Sequence, residues 1–539
     1  MSTLFLDITP TLSFWSVVPP LIAIVLALIF KEVIISLTLG ILSGMLIIAN
    51  RAEENLAQTF LNVPLQVQKS LFDEGHLSVI LFTVLIGGMV SVISQNGGMM
   101  AIVKKISHRA STAKSGQMAT WFLGIAIFFD DYANTLIVGN TMRPITDKLK
   151  ISREKLAYLV DSTAAPVAAI GFITTWIGSE LVYIKDGISK IPNGANLFGS
   201  EYSVFISSLQ FMFYPILTLI FMFFLIWKGR DFGPMLKAEQ NARKIETSGI
   251  ENAKVGEIDQ IPDNKEFVLN GLLPILTLVV TVGLSLYFTG KFALKNADNA
   301  SLSDIIGNAD SYKALVWGSF LGLVSAILLT VSTKVLSIEK TMNYVLEGFK
   351  SMIPAIVILA LAWTLGSLTE QLGTAEYLAQ ITEGNILPQL LPTIVFILAG
   401  LIAFSTGTSW GTMAILYPMV LFTSWKICID SGISQDLSLF VFANVVSAVL
   451  AGSVLGDHCS PISDTTILSS MASDCNHISH VKTQMPYALT VGAVAILLGT
   501  LPAGFGVPFY ITFPLCIAAL YFIVSYFGKM VDNTSSKTA

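Results

Sequence analysis

The stretch "FFDDYANT" (128–135) places two adjacent aspartates, Asp130 and Asp131, in the middle of an apolar segment. Basic residues flank this segment on both sides, in residues 101–116 and again in residues 143–155. Because loops rich in Lys and Arg stay on the cytoplasmic side, a segment between two such loops begins and ends at one face of the membrane. The sequence therefore predicts a re-entrant hairpin over residues 117–142, with the two aspartates at its tip.

The composition is that of a protein that crosses the membrane many times. Of its 539 residues, 53% are hydrophobic and only 12% are charged. That charged share is about half of what an ordinary soluble domain carries. Apolar runs long enough to cross the hydrocarbon layer recur along the chain. They predict eleven spans, at roughly 12–30, 33–49, 77–100, 156–180, 204–227, 267–289, 312–332, 351–372, 437–472, 487–504 and 506–527.

A second apolar stretch, residues 391–417, has the opposite charge pattern. Between residues 373 and 436 the only basic residue is Lys426, which predicts extracellular flanks. We therefore expect a second hairpin that enters from outside, with the hydroxylated sequence "FSTGTSWGT" (404–412) at its middle. This layout places 23 of the 31 Lys and Arg residues in the cytoplasm, the N-terminus outside and the C-terminus inside.

The two halves of the chain resemble each other. In "GGMVSVISQNGGMMAIV" (87–103) and "WTLGSLTEQLGTAEYLA" (363–379), a serine, a glutamine and a glycine recur at a constant offset. Each half continues with a hairpin, a broken span and a further span. The predicted fold is an all-α polytopic membrane protein of two inverted repeats, with about eleven transmembrane helices, two re-entrant hairpins and interrupted helices at the midplane. The predicted segments are a first repeat over 12–227, a cytoplasmic linker over 228–266, a second repeat over 267–504 and a final helix over 506–527.

Four polar clusters interrupt the apolar pattern at corresponding places in the two halves. They read "DDYANT" (130–135), "DSTAAP" (161–166), "STGTSWGT" (405–412) and "GDHCSPISDTT" (456–466). Broken backbone at membrane depth is tolerated only inside the protein or along a watery cavity. One aspartate at the bilayer centre costs roughly 2.5–3.5 kcal/mol, so a group of them is expected to bind something rather than to pack. Such clusters supply the oxygen ligands that hard cations prefer, and half-helix ends add a dipole.

These acids also indicate how a cation and a proton could share one site. Close carboxylates repel each other when both are ionised, and burial adds to that cost. A carboxylate that holds a proton and releases it to accept Na⁺ exchanges the two ions by competition alone.

Three other interpretations are weaker. The Cys-x-His-x-x-His spacing of "CNHISH" (475–480) suits a metal, but no CxxC or HExxH pattern accompanies it, so we place His477 and His480 at the membrane surface. An intramembrane aspartyl protease would need YD and GxGD on neighbouring spans, whereas "VLGD" (454–457) lacks the first glycine. A channel is disfavoured because inverted broken helices are typical of alternating access.

The longest polar motifs resemble those of one transporter family. "FFDDYANTLIVGNTMRPITDKLKISREKLAYLVDSTAAP" (128–166), "GDHCSPISDTTILSS" (456–470) and "CNHISHVKTQMPYAL" (475–489) are similar to motifs of the NhaC-type sodium/proton antiporters of the ion-transporter superfamily. The resemblance implies cation sites where each hairpin tip meets the break of the following helix. It also implies a homodimer through scaffold helices and a transport domain that moves as a rigid elevator. Carried onto this sequence, it implies Asp130, Asp131, Asn134 and Thr135 opposite Asp161, Ser162 and Thr163, and Ser405, Thr406, Thr408 and Ser409 opposite Asp457, Ser460, Ser463, Asp464 and Thr465.

Two functions stay open at this point. One is exchange of Na⁺ for H⁺, with Na⁺ expected at a subset of these residues, foremost Asp130, Asp161, Asp457 and Asp464. The other is Na⁺- or H⁺-coupled transport or exchange of amino acids or small carboxylates, because the second hairpin tip carries no acid and leaves room for an organic substrate. No buried arginine near the clusters is placed to hold a carboxylate, which favours Na⁺/H⁺ exchange. We expect a transporter of the cell membrane and not an enzyme, with Na⁺, H⁺ and the lipid bilayer as partners and neither a cofactor nor a nucleic acid.

Overall fold

The computed structural model describes residues 13–531, except for residues 31, 52–55, 73, 108–110, 129, 245–266, 295–304, 306–307, 375–376, 378–385 and 462. Helices make up almost all of this part. The strands within it are the two-residue pair β1 (Arg230–Asp231) and β2 (Lys529–Met530), which run antiparallel. Most of the predicted linker, residues 245–266, lies outside the described residues.

The first half of the described chain is a series of helices separated by short turns. They are α1 (Val18–Phe30), α2 (Val33–Arg51), α3 (Leu56–Leu71), α4 (Glu74–Gln95), α5 (Gly98–Ser107), α6 (Ala113–Ala126), α7 (Asp131–Lys148), α8 (Arg153–Ile170), α9 (Ile177–Ser189), α10 (Gly194–Phe198), α11 (Glu201–Ser208), α12 (Phe213–Lys228) and α13 (Gly233–Lys244).

The second half repeats this pattern with longer helices. They are α14 (Val268–Ala293), α15 (Ser311–Ser332), α16 (Ile338–Ser351), α17 (Ile353–Gln371), α18 (Leu391–Thr406), α19 (Ser409–Asp430), α20 (Gln435–Cys459), α21 (Asp464–Ala472), α22 (His477–Val494), α23 (Leu501–Gly504) and α24 (Phe509–Phe527). A single π-helical segment, Ala495–Thr500, joins α22 to α23.

The predicted all-α polytopic class is confirmed. Among the described helices, ten are long and apolar enough to cross a membrane, or eleven if the bent pair Glu201–Phe211 and Phe213–Lys228 counts as one span. The set differs in part from the prediction, because it includes both α18 and α19 of the second hairpin but neither α1 nor α8. Four charged residues exclude α8 from this set, three of them in its first turn (Arg153, Glu154 and Lys155) and the fourth, Asp161, in the "DSTAAP" cluster.

Both predicted hairpins form, and both are longer than predicted. The first comprises α6 and α7, residues 113–148, and the second comprises α18 and α19, residues 391–430. The predicted hairpins closed at Pro144 and Pro418, whereas α7 and α19 continue through these prolines. The interrupted helices also form, as α8 with α9 and as α20 with α21.

The two halves repeat one order of elements, which is consistent with the predicted inverted repeats. A long helix (α4 or α17) precedes a hairpin (α6–α7 or α18–α19), and an interrupted helix (α8–α9 or α20–α21) follows. Helices α4, α5, α14, α15 and α16 pack against one another as one group, which we call the scaffold group. The hairpins, the interrupted helices, α12 and α22 pack together as a second group, which we call the site group.

Contacts between connecting segments show which ends of the helices lie at the same face of the molecule. Strand β1 after α12 pairs with β2 after α24, and Lys114 Nζ donates to Trp227 O over 2.6 Å. Arg153 pairs with Asp474. These contacts join segments that were all predicted to be cytoplasmic. On the other face, Lys190, which was predicted to be outside, pairs over 3.3 Å with Glu370, near the predicted outer end of the span 351–372.

Candidate functional site

The tip of the first hairpin is held by an asparagine. Asn134, in the first turn of α7, donates its amide to Gly124 O over 2.6 Å and to Ile127 O over 3.0 Å. These carbonyls belong to the last turn of α6, where no further helical partner exists. The bonds set α7 back against α6, so that Asp130 and Asp131 lie buried at the amino-terminal end of α7. The positive end of that helix dipole favours negative charge there.

The tip of the second hairpin is a turn that requires glycine. Gly407 ends α18 with φ +70°, a left-handed conformation that residues with a Cβ rarely adopt. Thr408 then caps α19, and its hydroxyl accepts from Gly411 N over 3.5 Å. Ser409 is buried directly behind this cap. The hydroxyls of Ser405 and Thr406 bond instead to carbonyls of their own helix.

The second interrupted helix meets the second hairpin tip. Ser460, at the end of α20, donates its hydroxyl to Phe404 O over 2.7 Å. The amide N–H of Asp464, which begins α21, donates to Gly407 O over 3.3 Å. The predicted meeting of this hairpin tip with the break after α20 is therefore present in the structure.

The first hairpin tip meets the middle of α8, not a break. The prediction that "DSTAAP" (161–166) interrupts its helix was wrong, because α8 runs from Arg153 to Ile170 and the break follows at residues 171–176. Asn134 Nδ2 also lies 3.5 Å from Thr163 O, in the middle of α8. An added Cβ on Gly124 would lie 2.0 Å from Thr163 Oγ1, so only glycine allows α6 to approach α8 this closely. Asp161, Ser162 and Thr163 are all buried on α8 at this level.

Three side-chain hydrogen bonds connect the two halves of the chain around one site. Tyr132 OH donates to Asp464 Oδ2 over 2.5 Å. Thr466 Oγ1 donates to Asp161 Oδ2 over 3.0 Å, and Gln484 Nε2 donates to the same oxygen over 2.5 Å. Within the second half, Thr465 Oγ1 donates to Asp457 Oδ2 over 2.6 Å.

The site is acidic and buried. The exposed fraction is 4% for Asp130, 2% for Asp131, 0% for Asp161 and 1% for Asp457, while Asp464 is half-buried. Among the described residues, the cation nearest to Asp161 is His480, with Nε2 3.9 Å from Oδ2, and this histidine is charged only when protonated. Buried carboxylates without a matching positive charge are costly, so this arrangement calls for a cation or a proton.

Several oxygens around the breaks have no hydrogen-bond partner in the described structure. A buried acceptor left unpaired costs roughly 1–3 kcal/mol, so a group of them in one place indicates a ligand. They are Asp131 Oδ2, Asn134 Oδ1, Asp161 Oδ1, Thr175 Oγ1, Ser409 Oγ and Asp457 Oδ1. Carboxylate, amide and hydroxyl oxygens are the donor set that hard cations take.

No group of three or more His, Cys, Asp or Glu side chains in the described residues has the geometry to hold a metal ion. The weaker zinc interpretation of "CNHISH" therefore gains no support from this part of the chain. A site for a transported Na⁺ differs in kind, because one or two carboxylates with neutral hydroxyl and carbonyl oxygens suffice.

A cavity of about 220 Å³ lies beside the site, between it and the junction of α16 and α17. On the site's side, Asp130, Asp131 and Asp464 line it together with Trp410 of the second hairpin. Residues 351–358, at the junction of α16 and α17, line it on the other side. Among the described residues that line this cavity, none is basic.

A second buried charged cluster fixes the foot of α8 on the predicted cytoplasmic side. Lys155 Nζ lies 2.6 Å from Asp231 Oδ1, and Tyr487 OH donates to the same oxygen over 2.7 Å. Glu239 on α13 accepts from the amide of Ser152 over 2.7 Å. Burial raises the pKa of Glu239 above its ordinary value, and the nearby Asp231 raises it further.

Several residues that contact the predicted acids were not predicted. Tyr132, Thr466 and Gln484 donate to them directly. The prediction that His480 lies at the membrane surface was wrong, because its side chain is completely buried beside Asp161. His477, His480 and Gln484 recur at helical spacing on α22, and this periodicity could have shown that the face of His480 and Gln484 points inward. His477 is half-buried, and its Nε2 contacts Pro461 O at 2.6 Å.

Comparison with solved structures shows which known fold this chain shares. The gonococcal transporter MtrF, from Neisseria gonorrhoeae, superposes with a TM-score of 0.52 at 14% sequence identity, covering 88% of this chain and 86% of that chain. Its structure is described as illuminating a class of antimetabolite efflux pumps. The shared fold is that of a multi-pass membrane transporter.

The chain belongs to the Na⁺/H⁺ antiporter family, whose model matches residues 167–502. An uncharacterized protein of Haemophilus influenzae is 33% identical over 503 residues, covering 92% of this chain and 91% of its own length. Shorter matches are a malate-2H⁺/Na⁺-lactate antiporter of Bacillus subtilis, 26% identical over 35% of this chain and 36% of that protein, and the arginine/ornithine antiporter ArcD of Halobacterium salinarum, 28% identical over 27% of each. The family match confirms the resemblance to sodium/proton antiporters. The family and the two named antiporters are transporters and not enzymes.

Proposed function

We propose that this protein is a secondary transporter that exchanges Na⁺ for H⁺ across the cell membrane by alternating access. The observation that carries the proposal is the convergence of hairpin tips and helix breaks on buried aspartates. Three of them, Asp131, Asp161 and Asp457, each have one oxygen without a hydrogen-bond partner in the described structure. Membership of the Na⁺/H⁺ antiporter family supports it.

The exchange follows from competition for the same carboxylates. When Na⁺ enters, it takes oxygens of Asp161 and Asp457, and the protons on these groups leave with the solvent of the open side. Thr466 and Gln484 hold one oxygen of Asp161, which leaves its other oxygen, Oδ1, to face the ion. When Na⁺ leaves on the opposite side, protons return, because adjacent ionised carboxylates in a buried site repel each other.

The two hairpins and the interrupted helices are placed to move together. They form one packed group, and the cavity lies where this group faces the junction of α16 and α17. A displacement of the site group past residues 351–358 would open the cavity to one side and then to the other. A homodimer through the scaffold helices, and the orientation with the N-terminus outside and the C-terminus inside, stay predictions.

A second candidate function is exchange of an organic cation. The cavity of about 220 Å³ exceeds the need of a single dehydrated Na⁺ and holds three acids, Asp130, Asp131 and Asp464. Because none of the described residues that line it is basic, an ammonium group fits it better than a free carboxylate. Among the expected organic substrates, amino acids with a positive side chain are therefore favoured over small carboxylates.

One experiment separates the two candidates. The purified protein is reconstituted into vesicles that contain a pH-sensitive dye, and cations, amino acids and carboxylates are added one at a time. A Na⁺/H⁺ antiporter changes the internal pH in response to Na⁺ alone, whereas an organic exchanger responds only to its substrate. Asp464→Asn should abolish the response, and Asp430→Asn, a matched change beside the surface Lys426, should leave it intact. If both variants respond to Na⁺ as strongly as the unmodified protein does, the proposal is overturned.

A further inference from the structure

One buried carboxyl group is not part of the site described above. Glu180 lies in the first turn of α9, within "WIGSELVYI" (176–184). Its side chain is 1% exposed, and its Oε2 has no hydrogen-bond partner in the described structure. An acid enclosed in this way at membrane depth is expensive when ionised and is rarely retained for packing alone.

Titratable side chains around α9 are engaged elsewhere. On α19, the Tyr417 hydroxyl donates to Val446 O over 3.0 Å, and its ring stacks on Tyr183 of α9 with centroids 5.4 Å apart. On α9 itself, Lys185 lies over the Tyr312 ring. Two ion pairs join α9 to neighbouring helices, His76 of α4 with Asp186 and Glu370 of α17 with Lys190 beside α9. The ionisable groups on the other helices packed against α9 include Glu201 and Tyr202 on α11, and Cys428 and the paired Lys426 and Asp430 on α19. None of these groups forms a hydrogen bond or ion pair with Glu180.

The position of Glu180 links the central site to the predicted outer face. Trp176, directly before α9, packs edge-on against Trp410 of the second hairpin tip, with ring centroids 6.0 Å apart. Glu180 follows Trp176 by four residues, which places it about one helical turn, roughly 6 Å, further along the same side of α9. Helix α9 continues from there to its C-cap, Lys190, which was predicted to be extracellular.

We propose that Glu180 is a proton-carrying residue of the transport cycle, through which protons pass between the central aspartates and the extracellular side. The carboxylic acid form is neutral and suits the enclosed position. When the site is open outward and an aspartate has released Na⁺, Glu180 gives its O–H proton to that aspartate and takes a replacement from water on the outer side. Uptake of Na⁺ from the outer side reverses both transfers, so the charge on Glu180 is transient. This role rests on the proposed Na⁺/H⁺ exchange and adds a residue to it.

The substitution Glu180→Gln distinguishes this role from a structural one. Glutamine keeps the size and the neutrality of the protonated acid, so a purely structural role predicts wild-type fluxes. A proton-carrying role predicts that Na⁺-driven proton flux falls by roughly 100-fold, the usual contribution of a positioned proton-transfer group. Exchange of labelled Na⁺ for unlabelled Na⁺, which moves no net proton, should be retained. Glu180→Asp, which restores a carboxyl group, should recover proton flux, and Glu347→Gln on the exposed face of α16 is the matched control.

The outcomes are distinct. If the unmodified protein moves no protons in response to Na⁺, the proposed function itself fails. If it does, and Glu180→Gln moves them at the same rate at every pH tested, only the role of Glu180 is overturned. If Glu180→Gln does not fold, the unmodified protein is treated with dicyclohexylcarbodiimide, a reagent that modifies protonated buried carboxyl groups. Modification located at Glu180 by mass spectrometry, together with loss of proton flux, supports the role, and the absence of modification at Glu180 contradicts it.

Discussion

Replacing Gly124 by alanine should displace the first hairpin from α8 and stop transport. The added Cβ would lie 2.0 Å from Thr163 Oγ1 and 2.4 Å from Thr163 Cβ, well inside van der Waals contact. Thr163 cannot easily turn away, because its side chain is branched at Cβ and its hydroxyl is bonded to Leu159 O over 2.8 Å. The backbone of α6 must therefore move.

The expected loss of stability follows from overpacking. Forcing one extra carbon into a well-packed interior costs about 1–3 kcal/mol, and the upper end applies where backbone must shift. The shift would also stretch the bond from Asn134 Nδ2 to Gly124 O, which is 2.6 Å long and holds the hairpin tip. Because that tip carries Asp130 and Asp131, we expect transport to fall more steeply than stability.

The assay combines thermal unfolding in detergent with Na⁺-driven pH change in vesicles. Gly283→Ala is the matched control, because its added Cβ would meet nothing within 4 Å on α14. This control should unfold at the wild-type temperature or slightly above, since alanine is favoured over glycine in a helix by about 1 kcal/mol. Wild-type stability and wild-type transport in Gly124→Ala would refute the packing of α6 on α8.

Three further predictions concern polar contacts. Tyr132→Phe removes the hydroxyl that donates to Asp464 Oδ2 over 2.5 Å, a hydrogen bond worth about 1.5–3 kcal/mol. Its loss should raise the Na⁺ concentration for half-maximal transport. Lys155→Met leaves Asp231 buried without its cation and should destabilise the protein by about 3–5 kcal/mol in chemical or thermal unfolding. Burial raises the pKa of Glu239 while α13 is docked on α8, and an exposed glutamate loses its proton above about pH 4.3. The docked form therefore binds the proton more tightly, and docking of α13 should weaken as the pH rises above about 4.3. Amide hydrogen exchange of residues 233–244 measures this docking.

Each of these predictions has a control and an outcome that would contradict it. Tyr526→Phe, at an exposed tyrosine of α24, should not alter Na⁺ dependence, and an equal effect of both changes would remove the role of Tyr132. Lys426→Met, in a partly exposed pair with Asp430, should cost less than about 1 kcal/mol, and similar losses in both variants would contradict the buried pair. In Glu239→Gln the exchange of α13, corrected for intrinsic pH dependence, should lose its pH response, and a pH-independent wild type would contradict the assignment.

The arrangement of hairpins and breaks could be predicted because its signals are local in sequence. Basic residues on both sides of residues 117–142 require that segment to return to the same face. Asp130 and Asp131 at its middle then mark the tip. The second hairpin followed from the scarcity of basic residues between 373 and 436. The bounds were less accurate, because α7 and α19 continue through Pro144 and Pro418.

The contacts across the site could not be predicted, because they depend on how distant segments pack. Tyr132 and Asp464 are 332 residues apart, and Thr466 and Asp161 are 305 residues apart. No local pattern pairs such residues. Glu180, in contrast, could have been found from the sequence. It is an acid inside an apolar segment, and the cost of a charge there is the argument that identified the aspartates.

The central claim is that Na⁺ and protons compete for the buried aspartates where the hairpin tips and helix breaks meet. Its most direct measurement is the pH of a weakly buffered solution of the purified protein as NaCl is added, with choline chloride as the control salt. The account predicts that Na⁺ releases protons into solution, and that Asp161→Asn and Asp457→Asn reduce this release. No release by the unmodified protein, or the same release by both variants, would contradict it.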